Sequence, residues 1–130
     1  MKTVLIIDDD ADIRVLIERI LSRHGYLVLQ AGDEAEALNV INGTSEIDAA
    51  VVDFWLGTTP SLSLLDALVA QRPNIPVMVI SGGGGDVPIE VSHSLSRLGG
   101  AVSFLQKPFT RADLVEKITA ITTVSKKIGK

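Results

Sequence analysis

Polar side chains that can do chemistry follow four of the five short apolar runs in this sequence. Asp8 and Asp9 come after the first run, Asp53 after the third, Ser81 after the fourth and Lys107 after the fifth. If the runs are parallel strands, their carboxyl ends share one edge of a sheet, where such sheets form their ligand sites. The sequence therefore predicts that three carboxylates, a hydroxyl and an ammonium group meet there.

Such a set of groups suits cation binding and reaction with phosphorus. Clustered carboxylates repel one another, and a divalent cation relieves that repulsion. Ligands that are all oxygen favour a hard ion, and a small cluster with room for water and phosphate favours Mg²⁺ over Ca²⁺ or zinc. Asp53 is the best candidate for a nucleophile that forms an acyl phosphate. Lys107 and Ser81 would then contact the phosphoryl oxygens.

The elements that must position these residues alternate along the chain. The five apolar runs, at 4–7, 26–29, 49–52, 77–80 and 102–105, are mostly continuous, as in strands covered by helices on both faces. Helical patterns follow at 13–21, 34–41, 62–71, 89–98 and 111–121. The alternation predicts an α/β domain, a doubly wound five-stranded parallel sheet with five helices.

The composition fits one domain and excludes several classes of partner. The 130 residues are 46% apolar, which is enough for a sizeable core, and they include no cysteine, which suits a reducing compartment. With 12 Lys plus Arg against 16 Asp plus Glu, the net charge of -4 disfavours direct binding to nucleic acid. No apolar run approaches the roughly 20 residues that cross a bilayer. We therefore expect a cytoplasmic protein with no membrane partner.

The sequence resembles the receiver domain of two-component response regulators over residues 3–122. The shared motifs are Ile-Ile-Asp-Asp at 6–9, Val-Val-Asp at 51–53, Val-Ile-Ser-Gly at 79–82 and Leu-Gln-Lys-Pro-Phe at 105–109. The resemblance implies the flavodoxin-like strand order 2-1-3-4-5, with the receiver domain at 1–122 and a C-terminal tail or linker at 123–130. It also implies a phosphorelay function without enzymatic turnover of a substrate, beyond the domain's own phosphorylation and slow dephosphorylation.

The resemblance assigns a role to each residue of the predicted site. Asp53 would accept the phosphoryl group from a histidine kinase or a histidine phosphotransfer protein. The Mg²⁺ ligands would be Asp8, Asp9, Asp53 and the main-chain carbonyl of Trp55. Lys107 would contact the phosphoryl group, and the main-chain amides of Phe54 and Gly82 would face its oxygens.

The resemblance further implies a switch that carries the signal away from the site. Ser81 would move toward the new phosphate, and Phe104 would repack behind it by packing alone, because it lacks a hydroxyl. The affected surface is built from the fourth helix, the fifth strand and the fifth helix, and it is also a candidate face for a homodimer. A downstream protein target or a linked output domain would read it. The peptide bond before Pro108 is expected to be cis.

The segment after Asp53 departs from the family pattern. Gly57 and Ser61 stand where many relatives have a proline and a glycine, so we expect this loop to be reshaped. Trp55 puts a large apolar ring where relatives often carry a smaller or polar side chain. We hypothesise that Trp55 shields the phosphoryl group from hydrolytic water.

Two other functions remain open at this point. A haloacid-dehalogenase-like phosphatase would use Asp8 as its nucleophile, with Asp10, Ser81 and Lys107 around it, although 130 residues leave no cap for substrate selection. A degenerate receiver would act only as a binding module. Asp10 itself is better explained as the N-cap of the first helix.

Overall fold

The computed structural model describes residues 1–43, 46–56, 59–82 and 93–128. Its strands are β1 (Lys2–Ile7), β2 (Tyr26–Ala31), β3 (Ala49–Asp53), β4 (Trp55–Leu56), β5 (Thr59–Pro60), β6 (Val77–Ser81) and β7 (Val102–Gln106). The helices are α1 (Ala11–Arg23), α2 (Glu34–Gly43), α3 (Leu62–Gln71), a helical turn α4 at 93–95, and α5 (Arg111–Ile128). All five predicted strands are confirmed, and the fourth and fifth of them are β6 and β7.

One parallel sheet positions the predicted site. Its strand order is β2-β1-β3-β6-β7, which confirms the predicted doubly wound topology. The direction of winding reverses between β1 and β3, and a crevice forms at the carboxyl ends of strands at such a point. The register pairs Ile7 with Val52, so that Asp8 and Asp53 follow neighbouring positions.

Alternate residues of the strands build a separate apolar layer on each face of the sheet. Leu5 and Ile7 pack in one layer with buried side chains of α2 and α3. Val4 and Ile6 pack in the other layer with buried side chains of α1 and α5. Both faces of the central strands are therefore covered, which explains why their sequences are continuously apolar.

The helices begin and end largely where the sequence predicts. The side chain of Asp10 accepts hydrogen bonds from the amides of Asp12 and Ile13 and caps α1, and Gly25, with φ of 87°, follows its end. The fifth helix continues to Ile128, beyond the predicted range 111–121. Of the predicted helix at 89–98, residues 89–92 lie outside the described part of the chain. Within the described residues, no helix has the length and apolar character of a membrane span.

The segment after Asp53 forms a short antiparallel hairpin of β4 and β5. Trp55 pairs with Pro60, and Leu56 pairs with Thr59, while Gly57 lies outside the described residues. The Trp55 ring meets the Phe54 ring edge-on, with 5.0 Å between centroids. The hairpin therefore holds the indole close to the end of β3.

Candidate functional site

Three carboxylates meet at the carboxyl ends of β1 and β3, as the sequence predicts. Oxygen atoms of Asp8, Asp9 and Asp53 all lie within 4.8 Å of one another. Asp8 is 1% exposed and Asp53 is 7% exposed, whereas Asp9 is on the surface. The trio is thus a partly buried acidic pocket that is open on the Asp9 side. Its donors are all oxygen, the chemistry that a hard divalent cation prefers.

Lys107 places one positive charge between the two buried carboxylates. Its Nζ lies 3.4 Å from Asp8 Oδ2 and 3.6 Å from Asp53 Oδ2. Its main-chain amide donates to the Ser81 carbonyl at 2.8 Å, which joins the ends of β6 and β7. The Lys107–Pro108 peptide bond is cis, as the resemblance implies. One lysine balances only part of the charge of three carboxylates.

The environment of Asp53 disfavours its charged form. Burial raises the pKa of Asp53 from an ordinary value of 3.8 to about 6, and the neighbouring charge of Asp8 adds to the rise. The Lys107 cation and the Trp55 amide act in the opposite direction. An additional positive charge nearby would stabilise the charged form of this acid. This is a second sign that the pocket fits a cation.

The main-chain amide that faces the Asp53 carboxylate belongs to Trp55 and not to Phe54. The Trp55 amide donates to Asp53 Oδ1 at 3.3 Å. The Phe54 amide instead donates to the carbonyl of Ile80 at 2.8 Å, because the hydrogen-bond ladder between β3 and β6 continues past Asp53. In this structure the Phe54 amide is therefore engaged in the sheet, and the role of the Phe54 and Gly82 amides toward phosphoryl oxygens stays a prediction.

The predicted switch residues lie on β6 and β7. Ser81 is the last residue of β6, is partly exposed, and precedes the exposed Gly82. Phe104 is 38% exposed on β7, so it is not an ordinary core residue. It lines a cavity of about 240 Å³ together with Leu95, Ser96 and Val102.

Arg14 is a contact residue of the site that the sequence analysis missed. Its Nη1 donates to the main-chain carbonyl of Asp8 at 2.6 Å, and its Nε donates to Gln30 Oε1 at 3.1 Å. The apolar stripe of α1 assigns position 14 to the edge of the polar face, where arginine is ordinary. The one sequence feature that could have pointed to Arg14 is its position about one helical turn after the acidic residues at 8–10.

Comparison with known proteins identifies the family to which this chain belongs. Residues 4–119 match the response regulator receiver domain family. The chain belongs to this family. Receiver domains are signalling domains of two-component systems, so the predicted family is confirmed, and the order of strands in this domain agrees with it.

Relatives of this receiver domain include regulators and an isolated domain of known structure. It is 35% identical over 119 residues to the transcriptional regulatory protein PrrA of Mycobacterium leprae, covering 91% of this chain and 48% of that protein. It is 33% identical over 118 residues to the regulatory protein VirG of Rhizobium rhizogenes, covering 91% of this chain and 47% of that protein. The chain spans between a quarter and half of the length of the curated relatives it matches.

A solved structure shares both the fold and the extent of this domain. The crystal structure of the receiver domain of NtrX from Brucella abortus aligns with a TM-score of 0.79 and 33% identity. The alignment covers 92% of this chain and 98% of that one. The alignment therefore spans nearly the whole of that receiver domain.

Proposed function

We propose that this receiver domain is the phosphoacceptor of a two-component phosphorelay and that Asp53 takes the phosphoryl group. The observation that carries the proposal is the position of Asp53, buried at the end of β3 with two further carboxylates and Lys107 around it. The donor would be the phosphohistidine of a histidine kinase or of a histidine phosphotransfer protein. The domain would catalyse only its own phosphorylation and slow dephosphorylation.

The transfer step follows from the groups that surround Asp53. A carboxylate oxygen of Asp53 attacks the phosphorus atom, and a P–O bond forms as the P–N bond to the donor imidazole breaks. The electron pair of the broken bond stays on that nitrogen, and because the other ring nitrogen of the phosphohistidine carries a proton, the donor leaves as neutral imidazole. Lys107 Nζ, 3.6 Å from Asp53 Oδ2, stabilises the transferred oxygens by its charge, and the Trp55 amide supplies a hydrogen-bond donor.

The acidic pocket fits Mg²⁺ as the cofactor of this transfer. Asp8, Asp9 and Asp53 would hold the cation, together with the main-chain carbonyl of Trp55. When bound, Mg²⁺ would neutralise charge on the phosphoryl oxygens. Asp8 is held ready for this role, because its Oδ1 accepts the amide of Asp10 at 2.9 Å and its Oδ2 lies 3.4 Å from Lys107.

The signal would leave the site through β6 and β7. The charge of a phosphoryl group on Asp53 would draw Ser81 and Lys107 toward it, and the Ser81 carbonyl is already bonded to the Lys107 amide. Phe104 would move into the cavity that it lines beside α4. The surface of α4, β7 and α5 would then present a different face to a protein target, a linked output domain or a second copy.

The receiver domain would comprise residues 1–122, and 123–130, of which 123–128 continue α5, would serve as a C-terminal tail or linker. We expect no direct contact of this domain with nucleic acid or membrane. The histidine-bearing donor supplies the phosphoryl group, and the readout belongs to whichever protein or domain contacts the switched surface. A cytoplasmic location fits a partner of this kind.

Mass spectrometry after treatment with a small phosphodonor and Mg²⁺ tests the proposal. We expect the wild type to gain the mass of one phosphoryl group and Asp53→Ala to gain none. Asp12→Ala, which removes an exposed acid of α1, is the matched control and should be labelled like the wild type. Borohydride reduction followed by peptide mapping locates the acyl phosphate.

The other outcomes of this experiment favour the competing functions. Label on Asp8 with rapid turnover would favour a haloacid-dehalogenase-like phosphatase. The absence of any label in the wild type would favour a degenerate receiver that acts only as a binding module. Either result would overturn the proposed role of Asp53.

A further inference from the structure

Arg14 connects three elements at the back of the acidic pocket. From α1 it donates through Nη1 to the Asp8 carbonyl at 2.6 Å and through Nε to Gln30 Oε1 on β2 at 3.1 Å. Gln30 in turn donates to Glu18, one turn further along α1. The guanidinium group is a rigid fork, so two acceptors on different elements fix its plane.

The carbonyl that Arg14 holds belongs to the peptide unit between Asp8 and Asp9. The β1 ladder ends just before it, since the last paired residue of β1 is Ile7 and the Asp8 amide donates to the Ala31 carbonyl at 3.1 Å. The orientation of this peptide unit sets where the Asp9 side chain starts. It also sets the turn in which the Asp10 amide donates to Asp8 Oδ1.

We propose that Arg14 is a positioning residue for cation binding, which rests on the metal site of the proposed function. It fixes the Asp8–Asp9 peptide unit so that both carboxylates face the pocket before the cation arrives. Groups that orient the ligands of a metal in this way contribute to its affinity without touching it. Gln30 supports the same geometry by holding the Arg14 plane.

The sign of the effect distinguishes positioning from charge. Arg14 is a cation near an acidic pocket, so its positive charge opposes the binding of a second cation. Removal of that charge alone would therefore tighten Mg²⁺ binding. Loss of a positioning contact would weaken it, and the two explanations predict opposite changes for the same variant.

The experiment is a Mg²⁺ titration of the ¹⁵N-labelled domain, followed by backbone amide chemical shifts. We expect Arg14→Met to raise the Kd for Mg²⁺ by about tenfold, which is the low end of the range for residues that orient metal ligands. Arg14→Lys keeps the positive charge but lacks the forked guanidinium group. Its Kd for Mg²⁺ should lie between the values of the wild type and Arg14→Met. Arg19→Met, which removes an exposed cation from the same helix, should bind like the wild type or slightly tighter.

Two further measurements exclude a general loss of structure. Gln30→Met changes no charge and should weaken Mg²⁺ binding in the same direction as Arg14→Met. In the metal-free protein, the amides of Asp9 and Asp10 should shift in both variants, while amides of β7 keep their positions. Urea unfolding without Mg²⁺ shows whether each variant is folded at the start of the titration, and Gln30→Met carries the test if Arg14→Met is not.

The outcomes separate this inference from the proposed function. The positioning role alone would be overturned if the wild type binds Mg²⁺ and Arg14→Met binds it with equal or higher affinity. A wild type with no Mg²⁺-dependent shifts at Asp8, Asp9 or Asp53 would overturn the metal site and the positioning role together. Weakened binding in Arg14→Met and Gln30→Met, with Arg19→Met unchanged, supports the inference.

Discussion

The negative charge of the Asp53 side chain is only partly compensated by the groups around it. The residue is 7% exposed, its side chain accepts one amide hydrogen bond at 3.3 Å, and it shares Lys107 with Asp8. This combination keeps its pKa near 6 in the metal-free protein. The proposed reactivity of Asp53 toward phosphorus and its cost to stability would therefore have the same physical origin.

The cost of Asp53 to stability should depend on pH. Its pKa is higher in the folded state than the ordinary value of 3.8, so the folded state binds more protons over the interval between them. The Asp53 contribution is therefore least favourable at pH 7, and it improves as the pH falls through about 6. We expect Asp53→Asn to raise the free energy of unfolding at neutral pH by on the order of 2 kcal/mol.

Urea unfolding in EDTA at several pH values measures this difference. The advantage of Asp53→Asn over the wild type should shrink as the solution is acidified toward the ordinary pKa of an aspartate. Asp12→Asn, an exposed acid on α1, is the control for the loss of one charge. A stability gain that does not change with pH would contradict the assigned origin of the shift.

At the scale of elements, the hairpin of β4 and β5 gives Trp55 a defined position near Asp53, the proposed phosphoacceptor. The ring packs edge-on against the ring of Phe54, Trp55 pairs with Pro60, and the residue as a whole is 47% exposed. We expect a flat apolar group two residues from Asp53 to reduce the access of water to its carboxylate. If Asp53 is phosphorylated as proposed, we expect the hairpin to affect the lifetime of the acyl phosphate.

We expect Trp55→Asn to lose its phosphoryl group severalfold faster than the wild type. The smaller polar side chain would admit and orient water beside the phosphorus atom. Decay of the phosphorylated mass after removal of the donor gives the rate. Trp55→Phe retains an apolar ring and should stay close to the wild type, and equal decay of all three proteins would argue against shielding.

The turn before β7 depends on a close approach of two backbones. A Cβ atom added to Gly100 would lie 2.4 Å from the Asn74 carbonyl oxygen and 2.6 Å from the backbone of Ile75. Those atoms are main chain, so the segment before β6 would have to shift. We expect Gly100→Ala to lower the free energy of unfolding by about 1–3 kcal/mol, as for other overpacked sites.

Gly43→Ala is the matched control for this substitution. A Cβ atom at Gly43 meets no atom within 4 Å, and the residue ends α2. Chemical denaturation should show little loss, or a small gain, for this variant. If both variants lost the same stability, the close approach at Gly100 would not be the cause.

The sequence predicts most of these elements but not the contacts between distant ones. The five strands are evident because each is a short apolar run, and Leu62–Gln71 is predicted to the residue because Pro73 stops it. Gly100 and Asn74 are brought together only by the pairing of β6 with β7. Arg14 lies on a helix surface by its periodicity, and its acceptors come from the turn after β1 and from β2.

The same division holds for the site. Asp8, Asp9, Asp53 and Lys107 are predictable because each follows a strand and parallel strands share their carboxyl edge. The hydrogen bond from the Phe54 amide to the Ile80 carbonyl is not predictable, because the sequence does not reveal that the ladder between β3 and β6 extends one residue past Asp53. Ser81 and Phe104 are placed by the structure, and their movement stays a prediction.

For the molecule as a whole, cation binding should appear as added stability. Mg²⁺ at one hundred times its Kd raises the free energy of unfolding by about 2.7 kcal/mol if it binds only the folded state. We expect this increase for the wild type in thermal or urea unfolding with and without Mg²⁺. Asp8→Asn should lose most of it, because the substitution removes one negative charge from the pocket.

The comparison within each protein makes this test independent of other effects of the substitution. Asp8 is 1% exposed, so Asp8→Asn changes the stability without Mg²⁺ as well. Only the difference between the two conditions is interpreted, and Asp12→Asn should retain it in full. A Mg²⁺-dependent gain of the same size in Asp8→Asn would contradict the assignment of Asp8 as a ligand.

The side chains of β1 alternate between two apolar layers, and this limits where the coding sequence can gain or lose codons. Leu5 and Ile7 belong to one layer, and Val4 and Ile6 to the other. A codon inserted or deleted within the strand would exchange the two sets and turn every following side chain to the opposite face. It would also carry Asp8 and Asp9 one position away from Asp53. We therefore expect in-frame insertions and deletions to be tolerated between the elements and to be removed by selection from β1 and β3.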